Sequence, residues 1–232
     1  MKKVLPFLAV AAACGACIVH RFTRELMMMK SLMTGALYGA LLFAPSAAMA
    51  QAAVGRPAPA FSATDASGKP VALSDFKGKY VVLEWMDPGC PFVQKHYNSD
   101  NMPATQKQAV AQGAAWLSVH TAAGAKDEKP RAALRAWLIS KNAAPTATLV
   151  DAEGQLARAY GVRTTPHMYI VDPQGTLIYA GAIDSKPSTD PADIKSATNY
   201  VSQALGEAMS GKAVSRAVTQ AYGCSVKYPS AS

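Results

Sequence analysis

Two residues of this 232-residue chain are placed to do redox chemistry, Cys90 and Cys224; the other two cysteines, Cys14 and Cys17, fall in an apolar N-terminal stretch. Cys90 follows the apolar run Tyr80–Met86 and the turn Asp87-Pro88-Gly89, and it immediately precedes Pro91. Proline suits the first position of a helix, so this order predicts strand, turn and helix with Cys90 at the helix N-terminus. Free backbone N–H groups and the positive end of the helix dipole favour thiolate over thiol there. A thiolate attacks a peroxide oxygen or a disulfide sulfur. Lys95 and His96, within two turns, add positive potential on this reading. Cys224, near the C-terminus, can resolve a sulfenic acid on Cys90 and form a disulfide that an outside reductant opens. The plainer alternative is that the two cysteines form a permanent structural bridge.

Three further positions bear on that chemistry. Glu84 lies inside the apolar run, among Val82, Leu83, Trp85 and Met86, where a charge is costly unless paired or protonated. It either points to the solvent end of a sheet or is buried behind Cys90, where a carboxyl of raised pKa can shuttle the thiol's proton. Thr164-Thr165-Pro166-His167 leads into a strand, and Pro166 is there either an ordinary strand-start proline or a cis-proline. His96 and His167, each alone, read as polar surface groups. No zinc-finger spacing links Cys90 to His96, and Cys224 has no neighbouring histidine, so neither a structural metal nor a cofactor is expected.

The elements that position these residues follow from patterning. Tyr80–Met86 and Ala114–Val119 are nearly continuous apolar runs, as expected for strands buried on both faces. Helical spacing appears from Phe92, over Lys129–Asn142, over Glu153–Tyr160 and over Asp193–Ser210. Further strands are expected at Val71–Leu73, Thr146–Val150, Met168–Val171 and Thr176–Ala180, the last two joined by the turn Asp172-Pro173-Gln174-Gly175. Alternating strands and helices, closed by a hairpin and a helix, predict an α/β sheet covered on both faces. Gln51–Asp65 reads as an extended, proline-rich arm, and the tail from Gly211 has no clear period.

Composition narrows the function classes. Residues 1–50 contain two apolar stretches, each preceded by basic residues, and the second ends Ala48-Met49-Ala50, a small-x-small pattern suited to signal cleavage before Gln51. The first stretch, Val4–Val19, is shorter than the ~20 residues of a spanning helix, and Pro45 interrupts the second, Ser31–Ala50. Residues 1–50 are therefore expected to be a leader, with 1–26 an over-extended start or a second hydrophobic leader, and a periplasmic or otherwise exported domain over 51–232. A lipoprotein signal at Cys14 or Cys17 is the weaker match, since Ala11 stands where leucine is usual. Without the leader, net charge falls from +8 to +4, because it holds five of 23 Lys/Arg and one of 15 acids. No run of five basic residues exists, which argues against a nucleic-acid partner. No stable membrane span is expected once the leader is cleaved.

Three motifs in order then carry a resemblance. Gly89-Cys90-Pro91-Phe92-Val93-Gln94-Lys95-His96-Tyr97, Thr165-Pro166-His167-Met168 and Gly223-Cys224-Ser225-Val226-Lys227-Tyr228 resemble the peroxiredoxin-like redoxins of the alkyl-hydroperoxide-reductase/thiol-specific-antioxidant family, within the thioredoxin superfamily. The likeness runs over Val54–Tyr228. It implies a thioredoxin-like three-layer α/β/α sandwich with a mixed central sheet, Cys90 as the redox thiol and Pro166 as the cis-proline facing it. It also matches Glu84 to the buried acid of thioredoxin-like strands. Val93 stands where thioredoxins carry a second cysteine, and Asp87 where peroxiredoxins place Thr or Ser, so general thiol redox chemistry is implied more firmly than fast peroxide reduction.

The expected function is a thiol oxidoreductase in which Cys90 attacks a peroxide or disulfide substrate, Cys224 resolves and Glu84 carries the proton. Pro91, Thr165 and Pro166 line the substrate position, and an external thiol serves as reductant. The cysteine pair closes within one chain or across a homodimer. The alternative is a thioredoxin-fold copper-binding protein using Cys90, His96 and His167 as soft ligands, a set without the second nearby cysteine such proteins carry.

Overall fold

The computed structural model describes residues 51–229; the leader read at residues 1–50, with its alternative start, lies outside the described residues. The described residues form nine strands: β1 Ser62–Asp65, β2 Pro70–Ala72, β3 Val81–Trp85, β4 Ala115–Thr121, β5 Ala147–Asp151, β6 Thr164–Thr165, β7 His167–Val171, β8 Leu177–Gly181 and β9 Cys224–Ser225. Seven form one mixed sheet in the order β2-β1-β5-β4-β3-β7-β8, while β6 and β9 pair separately. The central β5, β4 and β3 run parallel, and β7 and β1 join antiparallel on either side. Every residue of β3 is buried, which explains its nearly continuous apolar sequence, broken only by Glu84.

Alternation along the strands divides the core in two. Val82, Met86, Trp116, Met168 and Ile170 face a layer of helices: α1 Pro91–Asn98, α2 Asn101–Ala111, α3 Glu128–Ser140 and α5 Tyr200–Met209. Leu83, Trp85, Leu117, Leu149 and Tyr169 face the other side. There the cover is thinner: the short helix α4, Gln155–Tyr160, the extended arm through Ala52, Val54, Ala58 and Phe61, and the 3-10 turn Leu73–Phe76. This is the expected three-layer α/β/α sandwich, with one layer built partly from extended chain.

Two segments differ from expectation. The helix read over Asp193–Ser210 is a 3-10 turn, Pro191–Ser196, followed by α5. Asn199 interrupts it: its side chain accepts from the Ser202 N–H at 3.0 Å, capping a new helix, and the Tyr200 N–H bonds the Ile183 carbonyl instead of an earlier turn. The tail beyond Gly211, featureless by period, lies along β8 and then supplies β9. The Ala180 N–H bonds Ala217 and the Thr219 N–H bonds Ala180, at 3.0 and 3.1 Å. Gly223 lets the tail come closer than any side chain would allow, with φ +131° and Thr165 O only 1.9 Å from where a Cβ would stand.

Candidate active site

The Cys90 position is built by a turn. The Asp87 carboxylate accepts from the Gly89 N–H at 2.8 Å, and the Asp87 carbonyl accepts from the Cys90 N–H at 3.0 Å. Cys90 is the N-cap of α1, in extended conformation, with Pro91 as first helical residue and its carbonyl accepting from the Gln94 N–H at 2.9 Å. Its side chain is 1% exposed, and the thiol donates to the Thr165 carbonyl at 3.1 Å. The Thr165–Pro166 peptide bond is cis. Pro91, Thr165 and Pro166 thus meet around one sulfur.

Cys224 arrives at the same place by strand pairing. In the antiparallel β6–β9 ladder Thr165 stands opposite Cys224 and Thr164 opposite Ser225. Both cysteines are reduced. Burial pushes the Cys90 thiol up. The polar groups around its sulfur, the Cys224 thiol first, then the Val93 N–H, the Thr165 hydroxyl and the Cys224 N–H, outweigh burial and hold it below the ordinary cysteine value. The Thr165 hydroxyl is buried without a hydrogen-bond partner. Cys224 moves the opposite way, to about 11, through its own burial, then the hydrogen bond and charge of Cys90, then the charge of Asp87. Of the two thiols Cys90 is therefore the more readily ionised, which makes it the nucleophile.

Glu84 is fully buried, on the sheet face beneath α1 and α2. One carboxylate oxygen accepts from Tyr97 Oη at 2.9 Å. The other accepts from Gln106 Nε2 at 3.0 Å, Trp116 Nε1 at 2.8 Å and Ser118 Oγ at 2.9 Å. Burial raises its pKa against the pull of these four donors. The carboxylate ties α1, α2 and β4 together. Its hydrogen bonds end on those three elements, whereas those of the Cys90 sulfur run to Thr165, Val93 and Cys224.

Lys95 and His96 correct two expectations. They do not lend positive potential to Cys90, and His96 is not a surface group: it is 0% exposed. Both turn toward Asp184, itself 2% exposed, with Lys95 Nζ at 3.9 Å and His96 Nε2 at 4.0 Å. Burial drives the His96 pKa down to about 4, with Asp184 opposing and Lys95 assisting, so the ring is neutral near pH 7. His167 is half-buried rather than free at the surface, stacks on Tyr169 at 4.6 Å and is likewise pushed to about 4, by burial and then Arg163. Cys90, His96 and His167 do not converge: among the described residues no three His, Cys, Asp or Glu side chains form a set able to hold a metal. Asp184 and Tyr222 escaped sequence reasoning, since each sits in an irregular segment without period.

Asp87 holds its turn from within the site rim, and Lys227 of the tail lies 3.5 Å from its carboxylate. No helix among the described residues is long and apolar enough to cross a membrane.

A family model described as the AhpC/TSA family matches residues 54–180. No curated protein matches the chain. Among solved structures, a hypothetical protein from Sinorhizobium meliloti 1021 aligns with TM-score 0.64 and 22% identity, over 78% of this chain and 98% of that one. An uncharacterized conserved protein from Geobacillus kaustophilus aligns with TM-score 0.63 and 22% identity, over 78% and 94%. A thioredoxin domain of a thiol-disulfide oxidoreductase from Bacteroides vulgatus aligns with TM-score 0.47 and 21% identity, over 62% and 96%. The first two share the fold of this chain.

Proposed function

Because this chain belongs to the AhpC/TSA family, we propose that its thiol redox chemistry is that of a two-cysteine oxidoreductase in which Cys90 attacks and Cys224 resolves. The observation that carries this reading is the β6–β9 register. It sets Cys224 opposite Thr165, whose carbonyl accepts from Cys90, and the Cys224 thiol and N–H favour the Cys90 thiolate.

In the reaction, the Cys90 thiolate attacks a peroxide oxygen, the O–O bond breaks and Cys90 becomes a sulfenic acid. The departing alkoxide takes the proton of Cys224, which stands opposite Thr165. The Cys224 thiolate then attacks Cys90, the S–O bond breaks, and the S–S bond forms as hydroxide leaves and is protonated from water. The two electrons lost by the thiols are those gained by the peroxide, and an external thiol reductant restores both cysteines. Glu84 enters as the brace beneath α1 rather than the proton carrier, because its four bonds run away from the sulfur.

Cys90 is 1% exposed and the edge of β6 is occupied by β9, which favours a small oxidant over a bulky one. Disulfide exchange is the second reading. An extended substrate would pair with β6 beside Pro91, Thr165 and Pro166 only after the tail has left. Export of this activity rests on the leader read at residues 1–50. The test compares peroxide and a model disulfide as oxidants of the reduced protein and of its single-cysteine variants. Cys90→Ser should abolish turnover with either. Cys224→Ser should still consume peroxide but stop at a sulfenic acid. Undiminished turnover by Cys90→Ser would overturn the assignment.

A further inference from the structure

A buried polar cluster outside the thiol pair links the two cysteine-bearing segments. Asn101 Nδ2 lies 2.7 Å from His96 Nδ1, His96 Nε2 lies 3.2 Å from Tyr222 Oη, and the Tyr222 hydroxyl donates to Asp184 Oδ1. One set of proton positions satisfies all three bonds. Asn101 donates to Nδ1, Nε2–H donates to the Tyr222 oxygen, and the Tyr222 proton goes to the carboxylate. Lys95 Nζ stands 3.9 Å from the other carboxylate oxygen and donates to the Lys186 carbonyl at 3.0 Å. That second oxygen of Asp184 is buried without a hydrogen-bond partner, while the first accepts from the Tyr222 hydroxyl and from the Lys186 N–H at 2.9 Å.

The placement in the chain gives this cluster its meaning. Lys95 and His96 lie on α1, the helix that Cys90 caps, and Tyr222 lies two residues before Cys224. The Tyr222 ring also packs edge-on to Phe92 of α1, at 5.8 Å between centroids. Upstream the tail is held at Thr219 and downstream at Val226, whose N–H bonds the Arg163 carbonyl at 3.0 Å. Tyr222 supplies the side-chain anchor between these points. Without its hydroxyl, the His96 N–H is left buried and unpaired whenever the tail is docked, and the Asp184 carboxylate keeps only the Lys186 N–H. That disfavours the docked tail relative to a detached one.

We propose that Tyr222 and Asp184 are positioning residues that register Cys224 against Cys90, with His96 as the link to the helix Cys90 caps. The proposal rests on the two-cysteine reading above. It predicts that the cluster raises the effective concentration of one thiol at the other without touching either sulfur.

The experiment uses the full chain and sets the Cys90–Cys224 pair in equilibrium with reduced and oxidised glutathione, in wild type and in Tyr222→Phe, which keeps the ring against Phe92. The equilibrium constant for the internal disulfide should fall about tenfold in Tyr222→Phe, and similarly in Asp184→Asn, as expected for one lost hydrogen bond to a charged group. Tyr80→Phe is the matched control, losing a hydroxyl bond to the Ala208 carbonyl that involves neither the cluster nor the cysteines, and should lower the unfolding temperature with the equilibrium unchanged. A normal equilibrium in Tyr222→Phe would overturn the positioning role while leaving the two-cysteine reading intact. A wild-type protein that forms no internal disulfide would overturn both.

Discussion

Cys224 stands opposite Thr165 across the β6–β9 ladder, and Thr165 is the residue whose carbonyl accepts the Cys90 thiol at 3.1 Å. One threonine thus meets the Cys90 sulfur through its carbonyl and Cys224 through the backbone ladder, and adds a buried hydroxyl that favours the Cys90 thiolate. The chemistry of the pair depends on this arrangement more than on either cysteine's place in the sequence.

Thiolate absorbance against pH separates the two sulfurs without requiring a reagent to reach them. Cys90 should ionise below the ordinary cysteine value and Cys224 near pH 11, giving two well-separated steps. Part of the rise at Cys224 comes from the Cys90 thiolate, so in Cys90→Ser the remaining step should move down. Thr165→Val removes a donor to the thiolate and should move the Cys90 step up, by about one pH unit or less, the size expected of one hydrogen bond. A single unresolved step would contradict the division of roles.

Gly223→Ala is the most economical way to separate the thiols. A Cβ at φ +131° would stand 1.9 Å from Thr165 O, so the tail must lift from β6. Internal disulfide formation should slow at least tenfold, an order-of-magnitude expectation for a lost intramolecular encounter. Circular dichroism of the sheet should be unchanged, because β6 and β9 lie outside it. Wild-type closure rates in this variant would mean the strand pairing does not present Cys224.

Acid should destabilise the protein through its buried histidines. His96 and His167 titrate near 4 when folded, below the value of about 6.5 for a free histidine, so between those pH values the unfolded chain binds more protons. Stability is then full above pH 6.5 and is lost as pH falls toward 4. For His96 the loss amounts to roughly 3 kcal/mol. Urea unfolding at pH 7 and pH 4.5 measures it, and His96→Gln should flatten the dependence. An unchanged midpoint would show that His96 is protonated in the fold.

What the sequence made legible is what repeats or what geometry compels. β3 was readable because burial on both faces forces a nearly continuous apolar run, with Glu84 the one exception. The place of Cys90 was readable because Pro-Gly before it and Pro91 after it admit few backbones. The cis bond at Pro166 stood as one of two options and was implied by the resemblance. The direction in which Lys95 and His96 point was not legible, since their partner Asp184 lies nearly ninety residues away in a loop without period. A two-residue strand such as β9 is likewise too short to register as alternation. Its position comes from Gly223, Tyr222 and the edge of β6. The split of the helix read over Asp193–Ser210 turned on a single cap, Asn199, inside an otherwise helical composition.

The central claim is that Cys90 and Cys224 act as one redox pair, and intact-mass thiol counting tests it most directly. Reduced protein beginning at Gln51 receives one equivalent of hydrogen peroxide and is sampled over seconds. The account predicts loss of both thiols together, a mass two hydrogens lower, and a peptide linking Cys90 to Cys224. Two thiols that survive the peroxide, or Cys90 oxidised while Cys224 stays free, would contradict it.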